Sequence, residues 1–203
     1  MSHPCQVQES CLNRAVPAAW RHWLYYSKSL TRRLEDLTQQ PITVRLLQQA
    51  MGHLLSDEIG LLGSSQHHLK TLSKYRARHI GSNKSTGAQA HIREVCLTAG
   101  STPLVVARTV WPKNSSAQQL LAQLGSRPLG ELLFNSNPES SSSAVFVQRQ
   151  IMLLKPGCPL YALAQSAQTL RKLPSYWARK TLYRFYDQPL IVTEIYLPIV
   201  KHL

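Results

Sequence analysis

Two stretches of this chain alternate apolar and polar residues with a period of two, and each reads as a β-hairpin. In the first, HIREVCLTA and TPLVVARTVW flank Gly100-Ser101, a pair suited to a two-residue hairpin loop. In the second, TLYRFY and PLIVTEIYL flank Asp187-Gln188. The segment Val145–Leu154 alternates in part and reads as a further strand. Elsewhere, spacings of three and four predict helices. One covers residues 17–27 with Trp20, Trp23 and Leu24 inward; a second starts at Leu30 under a Ser29 cap, with Leu34 and Leu37 buried. A third covers 115–124 and is closed by Gly125, and 160–173 also looks helical. Residues 42–48 suit a strand, although so short a run also allows a helix. Pro128-Leu129-Gly130 makes a tight entry to another helical turn.

The hairpins put ionisable side chains on apolar faces. Counting outward from the first turn, Ala99 pairs with Thr102 and Arg93 falls opposite Arg108. Alternation then sets both arginines beside Val95, Leu97, Leu104, Val106 and Val110. Like charges opposite each other are destabilising, and a buried cation needs a partner, so an anion between them is expected. In the second hairpin, Glu194 shares a face with Leu190, Val192 and Tyr196, with Tyr183 and Phe185 across the ladder. A carboxyl there must meet a donor. That donor is either a ligand group or one of Arg93 and Arg108 in a structural ion pair. By the same alternation Arg179 can share the Glu194 face, whereas Thr109 and Lys180 point away.

Four ordered segments carry a family resemblance: YYSKSLTRRLEDL, REVCLTAGSTPLVVARTVWP, LGSRPLGELLF and YWARKTLYRFYDQPLIVTEIYLP. Together they make the chain, from about Trp20 to Pro198, similar to the chorismate pyruvate-lyase (chorismate lyase) family of ubiquinone biosynthesis. The resemblance implies an α+β fold, a single antiparallel β-sheet with helices packed on one side. It also implies an activity that removes pyruvate from chorismate to leave 4-hydroxybenzoate, with no cofactor and no metal. Within that resemblance Arg93 stands where the family has the arginine that binds the ligand carboxylate, a task suited to its planar, permanently charged fork. Glu194 matches the carboxylate that meets the ring hydroxyl. Leu129 matches a residue whose main chain touches the ligand, and Leu30 stands where the family has methionine. Arg108, the other cation read as inward, is assigned to the enolpyruvyl carboxylate. Whether a proton passes to Glu194, to water or within the substrate stays open.

At 203 residues the chain is read as one domain, 1–203, with insertions near 64–89 and 155–175 and a low-complexity run at 140–143. The four cysteines show no metal-type spacing and read as reduced thiols; His67, His68, His79 and His91 form no recognisable ligand set. The N-terminus lacks an apolar core and no stretch is long enough to span a bilayer, so a cytoplasmic, monomeric protein without membrane insertion is expected. The formal charge of +13 invites a nucleic-acid partner, above all through HHLKTLSKYRARHIGSNKS. Its basic residues are dispersed, however, and a positive field also steers a small dianion, so chorismate is the expected partner and nucleic acid is not. A non-catalytic aromatic-acid-binding domain of the same fold is the other alternative.

Overall fold

A computed structural model describes residues 16–64, 89–113, 118–134, 144–168, 172–186 and 188–203. Its centre is one antiparallel sheet of six strands: β1 (Ile42–His53), β2 (Gln89–Ala99), β3 (Thr102–Trp111), β4 (Val145–Leu154), β5 (Tyr176–Phe185) and β6 (Gln188–Tyr196). They lie in the order β1-β2-β3-β6-β5-β4. The apolar run beginning at Ile42 is therefore a strand, and a longer one than its pattern suggests. The second hairpin turns one residue earlier than expected, since Phe185 pairs with Gln188. A shift in the summed register by two leaves every side chain on its expected face.

The first hairpin departs in a way that matters more. Gly100, at φ +54°, makes the turn, and Ala99 pairs with Thr102 as its position requires. Thr98 then pairs with Pro103 but Leu97 with Val105, so Leu104 is an extra residue in β3. Pro103 has no N–H to give the ladder, and a bulge beside it is the usual accommodation. Beyond the bulge the register is offset by one: Arg93 pairs with Thr109, and Glu94 with Arg108. A one-residue offset turns β3 over relative to β2. Arg93 and Arg108 consequently lie on opposite faces of the sheet.

On the first face, α1 (Ala18–Leu24) and α2 (Leu30–Thr38) pack Trp23, Leu24, Leu30 and Leu34 against Val44, Val95, Leu97, Val105 and Tyr196. Ser29 Oγ accepts from the Arg32 N–H at 3.4 Å as the α2 cap, and Leu37 is exposed rather than buried. The short helices α4 (Gln118–Ala122) and α5 (Leu129–Phe134) complete this face through Leu121, Leu124 and Leu133 over Tyr183, Leu190 and Val192. The α+β class and the single antiparallel sheet are as expected. The second face is covered as well. There α3 (Ser56–Ser64) packs Leu61 and Leu62 on Ile92, Val110 and Ile191, and α6 (Pro159–Ser166) packs Leu160 and Ala164 on Val106, Ala178 and Ile195. A 3-10 turn, Pro198–His202, closes the chain.

The helix expected over 160–173 stops at Ser166, and that expected over 115–124 spans only Gln118–Ala122 among the described residues, with Gly125 at φ +51° after it. Most of 64–89, and all of 140–143, lie outside the described residues. Cys96 is a buried free thiol whose pKa burial pushes up, but Cys158 is disulfide-bonded, against the reading of reduced thiols. Among the described residues no helix is long and apolar enough to cross a membrane.

Candidate active site

The starts of α2 and α5 meet over the first face. A Cβ on Gly130 would lie 3.3 Å from Ser29 Oγ, tight enough that the serine hydroxyl would have to give by a few tenths of an ångström. Beneath the two helix starts is a pocket. Leu30 and Leu129 line its helical side, while Arg93, Thr109, Arg179 and Glu194 line its floor on the sheet. The expected site residues Arg93, Glu194, Leu30 and Leu129 are thus brought together; Arg108 is not among them.

Arg93 is 2% exposed and carries its charge without a carboxylate partner among the described residues. Its Nη2 donates to the carbonyls of Gly125 at 2.8 Å and Arg127 at 2.9 Å, which ties the loop before α5 to the sheet. Its Nε is buried with no partner. Burial lowers its pKa, with no negative charge among the described residues opposing that effect. A guanidinium in this state has both an open donor and an uncompensated charge. A carboxylate supplies what is missing.

Glu194 is held differently. Arg179, directly opposite it across the β5–β6 ladder, donates from Nε and Nη2 to its two oxygens, the latter at 3.0 Å. Arg179 Nη1 donates to the carbonyls of Trp23, at 3.2 Å, and Tyr26. Burial alone would lower the Arg179 pKa, but the Glu194 charge, together with Tyr196, the hydrogen bond to Glu194 and Tyr183, reverses this and holds it above the ordinary arginine range. The ion-pair partner of Glu194 is therefore Arg179, rather than Arg93 or Arg108. Two lone-pair positions of the carboxylate remain to accept a ligand hydroxyl. Burial and then the Glu194 charge raise the pKa of neighbouring Tyr183, keeping it a neutral phenol.

Arg93 and Glu194 stand two strands apart and are offset by two residues, because Thr109 pairs with Arg93 and Val192 while Ala107 pairs with Glu194. Strand spacing and rise place their Cα atoms about 12 Å apart. With both side chains reaching inward, that span suits a six-membered ring bearing a carboxylate at one end and a hydroxyl at the other.

Arg108 requires correction. It lies on the second face, where its Nε donates to Glu58 at 2.9 Å and its Nη1 to Glu94 at 2.7 Å. Glu58, fully buried, also accepts from the Leu55 N–H at 2.8 Å, and Lys180 pairs with the adjacent Asp57. Burial would lower the Arg108 pKa; the hydrogen bonds and charges of Glu58 and Glu94 raise it instead. These pairs pin the first turn of α3 to the sheet. The same bulge brings Thr109 into the pocket, against the expectation that it points away, whereas Lys180 does face away. Alternation signalled Arg179; Thr109 was hidden by the bulge, and the Arg108–Glu58 contact by its distance in sequence.

Among the described residues no cluster of three or more histidine, cysteine, aspartate or glutamate side chains is placed to hold a metal. His91 instead stacks on Trp111, with ring centres 5.4 Å apart.

A family model described as chorismate lyase matches residues 7–202. A protein of Methylococcus capsulatus named probable chorismate pyruvate-lyase is 32% identical over 180 residues, covering 88% of this chain and 94% of that one. One of the same name from an Azoarcus species is 32% identical over 213 residues, covering 100% and 97%. Among solved structures, the effector domain of PhnF from Mycobacterium smegmatis aligns with a TM-score of 0.49 at 14% identity, over 85% of this chain and 90% of that one.

Proposed function

The chain belongs to the chorismate lyase family, and from that premise we propose that it cleaves chorismate to pyruvate and 4-hydroxybenzoate, the aromatic acid that enters ubiquinone biosynthesis. The observation that carries the reading is Arg93, a buried guanidinium with an unpartnered Nε and no carboxylate among the described residues, facing a pocket whose other end holds Glu194. In this reading Arg93 grips the ring carboxylate. Glu194, fixed by Arg179, accepts from the ring hydroxyl. Leu30 and Leu129 close on the ring, with the Leu129 main chain as a further contact, and methionine is not required at position 30 because the contact there is apolar and main-chain.

The chemistry asks little of the protein beyond this. The ether bond between ring and side chain breaks, the ring gives up one hydrogen as a proton, and the released three-carbon enolate takes up a proton on carbon to become pyruvate. Aromatisation drives the step. The protein's part is to orient the substrate, exclude water and set fixed charge around it. The pocket offers no second unpaired cation among its named lining residues, so the enolpyruvyl carboxylate is not assigned to Arg108. We take the protein to act in the cytoplasm, on a small molecule and without nucleic acid.

The test is to incubate purified protein with chorismate and assay both products. Equimolar pyruvate and 4-hydroxybenzoate, above the spontaneous rate, is the expected result; release of neither overturns the proposal.

A further inference from the structure

Thr109 lies on β3 directly opposite Arg93, is 2% exposed, and lines the pocket. A hydroxyl taken out of water needs a partner. A buried threonine two strands away on the same face has one: Thr181 Oγ1 accepts from Arg149 Nε at 3.2 Å. Among the described residues no side-chain hydrogen bond engages Thr109 Oγ1, and the oxygen is not one of the fully enclosed unpartnered atoms, so it opens onto the pocket it lines. Valine would meet the strand's preference for a branched side chain and fill the same space. Packing therefore accounts for the shape of this residue but not for its hydroxyl.

Side chains directly opposite each other on one face have Cβ atoms about 4.5–5.5 Å apart, so the Thr109 hydroxyl and the Arg93 fork address the same small volume. Both bring a donor there: the Nε–H of Arg93, which has no partner among the described residues, and the pocket-facing hydroxyl of Thr109. A carboxylate has about four lone-pair positions, enough for both. We propose that Thr109 is a ligand-binding residue, its hydroxyl donating to the carboxylate that Arg93 grips. This rests on the aromatic-acid reading of the pocket and adds a determinant of selectivity to it. The cation supplies charge, and the hydroxyl fixes how the carboxylate is turned about the ring axis.

The experiment is calorimetric titration of the full chain and its Thr109→Val and Thr109→Ser variants with 4-hydroxybenzoate and with 4-methylphenol, which keeps the ring and hydroxyl but lacks the carboxylate. Thr109→Val should weaken 4-hydroxybenzoate about tenfold or more, leave 4-methylphenol within about twofold, and keep the melting temperature. Thr109→Ser should recover most of the lost affinity. Undiminished binding of 4-hydroxybenzoate by Thr109→Val overturns the proposal. So does an equal loss for both ligands, or an equal loss in both variants, since packing alone would then explain it. If the unaltered protein does not bind 4-hydroxybenzoate at all, the reading of the pocket fails first.

Discussion

Replacing Arg93 with methionine separates binding from folding. Methionine keeps the unbranched stem and removes the charge. In the empty protein the substitution forfeits the hydrogen bonds to the Gly125 and Arg127 carbonyls, costing about 1–3 kcal/mol for each group left unsatisfied. Against that, it removes a desolvated cation that has no carboxylate partner among the described residues, an effect of several kcal/mol in the opposite direction. The two offset one another, so the empty variant should melt close to the parent. The ligand-bound state has no such offset. Truncating one member of a buried, hydrogen-bonded charge pair costs about 2–5 kcal/mol. With 4-hydroxybenzoate at about 100 times Kd, the parent gains about 2.7 kcal/mol. For a chain of this size that is about 5–11 °C in Tm. A Kd weakened about a hundredfold leaves about 0.4 kcal/mol at the same concentration, or about 1–2 °C. Thermal denaturation with and without ligand reads both quantities. A variant that melts like the parent and retains the full ligand shift refutes the assignment of Arg93.

Arg108→Met should show the reverse: removing this partner leaves fully buried Glu58 unpaired and costs about 3–5 kcal/mol of stability by urea denaturation, while a stable variant that cannot turn over chorismate would return Arg108 to the site. Benzoate lacks the ring hydroxyl and should inhibit more weakly than 4-hydroxybenzoate, and Glu194→Gln should narrow the difference; equal inhibition of the parent by the two acids would argue against Glu194 at the hydroxyl. The pKa values of Tyr183 and Tyr196 are raised, first by burial, above the value of about 10 expected unfolded. Their contribution is fully present below that pH. Above it the unfolded chain loses protons that the folded one keeps, so stability should fall by up to about 1.4 kcal/mol per tyrosine per pH unit; urea midpoints that stay level well above pH 10 would contradict this. Turnover should survive exhaustive chelation and be unaffected by added magnesium, whereas loss with EDTA and rescue by magnesium would require Glu94, Glu131 and Glu194 to be reconsidered as ligands.

Much of this site follows from alternation alone. Once Glu194 is placed on an apolar face, Arg179 falls opposite it, and Arg93 takes its face from Val95 and Leu97 on the same strand. The β3 side chains could not be read in this way. Their direction depends on one extra residue at Leu104; the pattern LVVARTVW, apolar on both faces near the turn, does not show it, and the one local signal is Pro103, which has no N–H for the ladder. Both errors, Arg108 inward and Thr109 outward, come from that single bulge. The partner of Arg108 was hidden for another reason: Glu58 is 50 residues away, in the first turn of a helix whose second-face packing no local spacing reveals. Leu30 and Leu129 could be recognised only by resemblance, because nothing in a leucine near a helix start distinguishes a pocket wall from ordinary core.

The most direct measurement of the central claim is a crystal structure of the protein with 4-hydroxybenzoate bound. The account predicts the carboxylate on Arg93 Nε, the ring between Leu30 and Leu129, and the hydroxyl on Glu194. A ligand turned end for end, or seated on the second face beside Arg108, would contradict it.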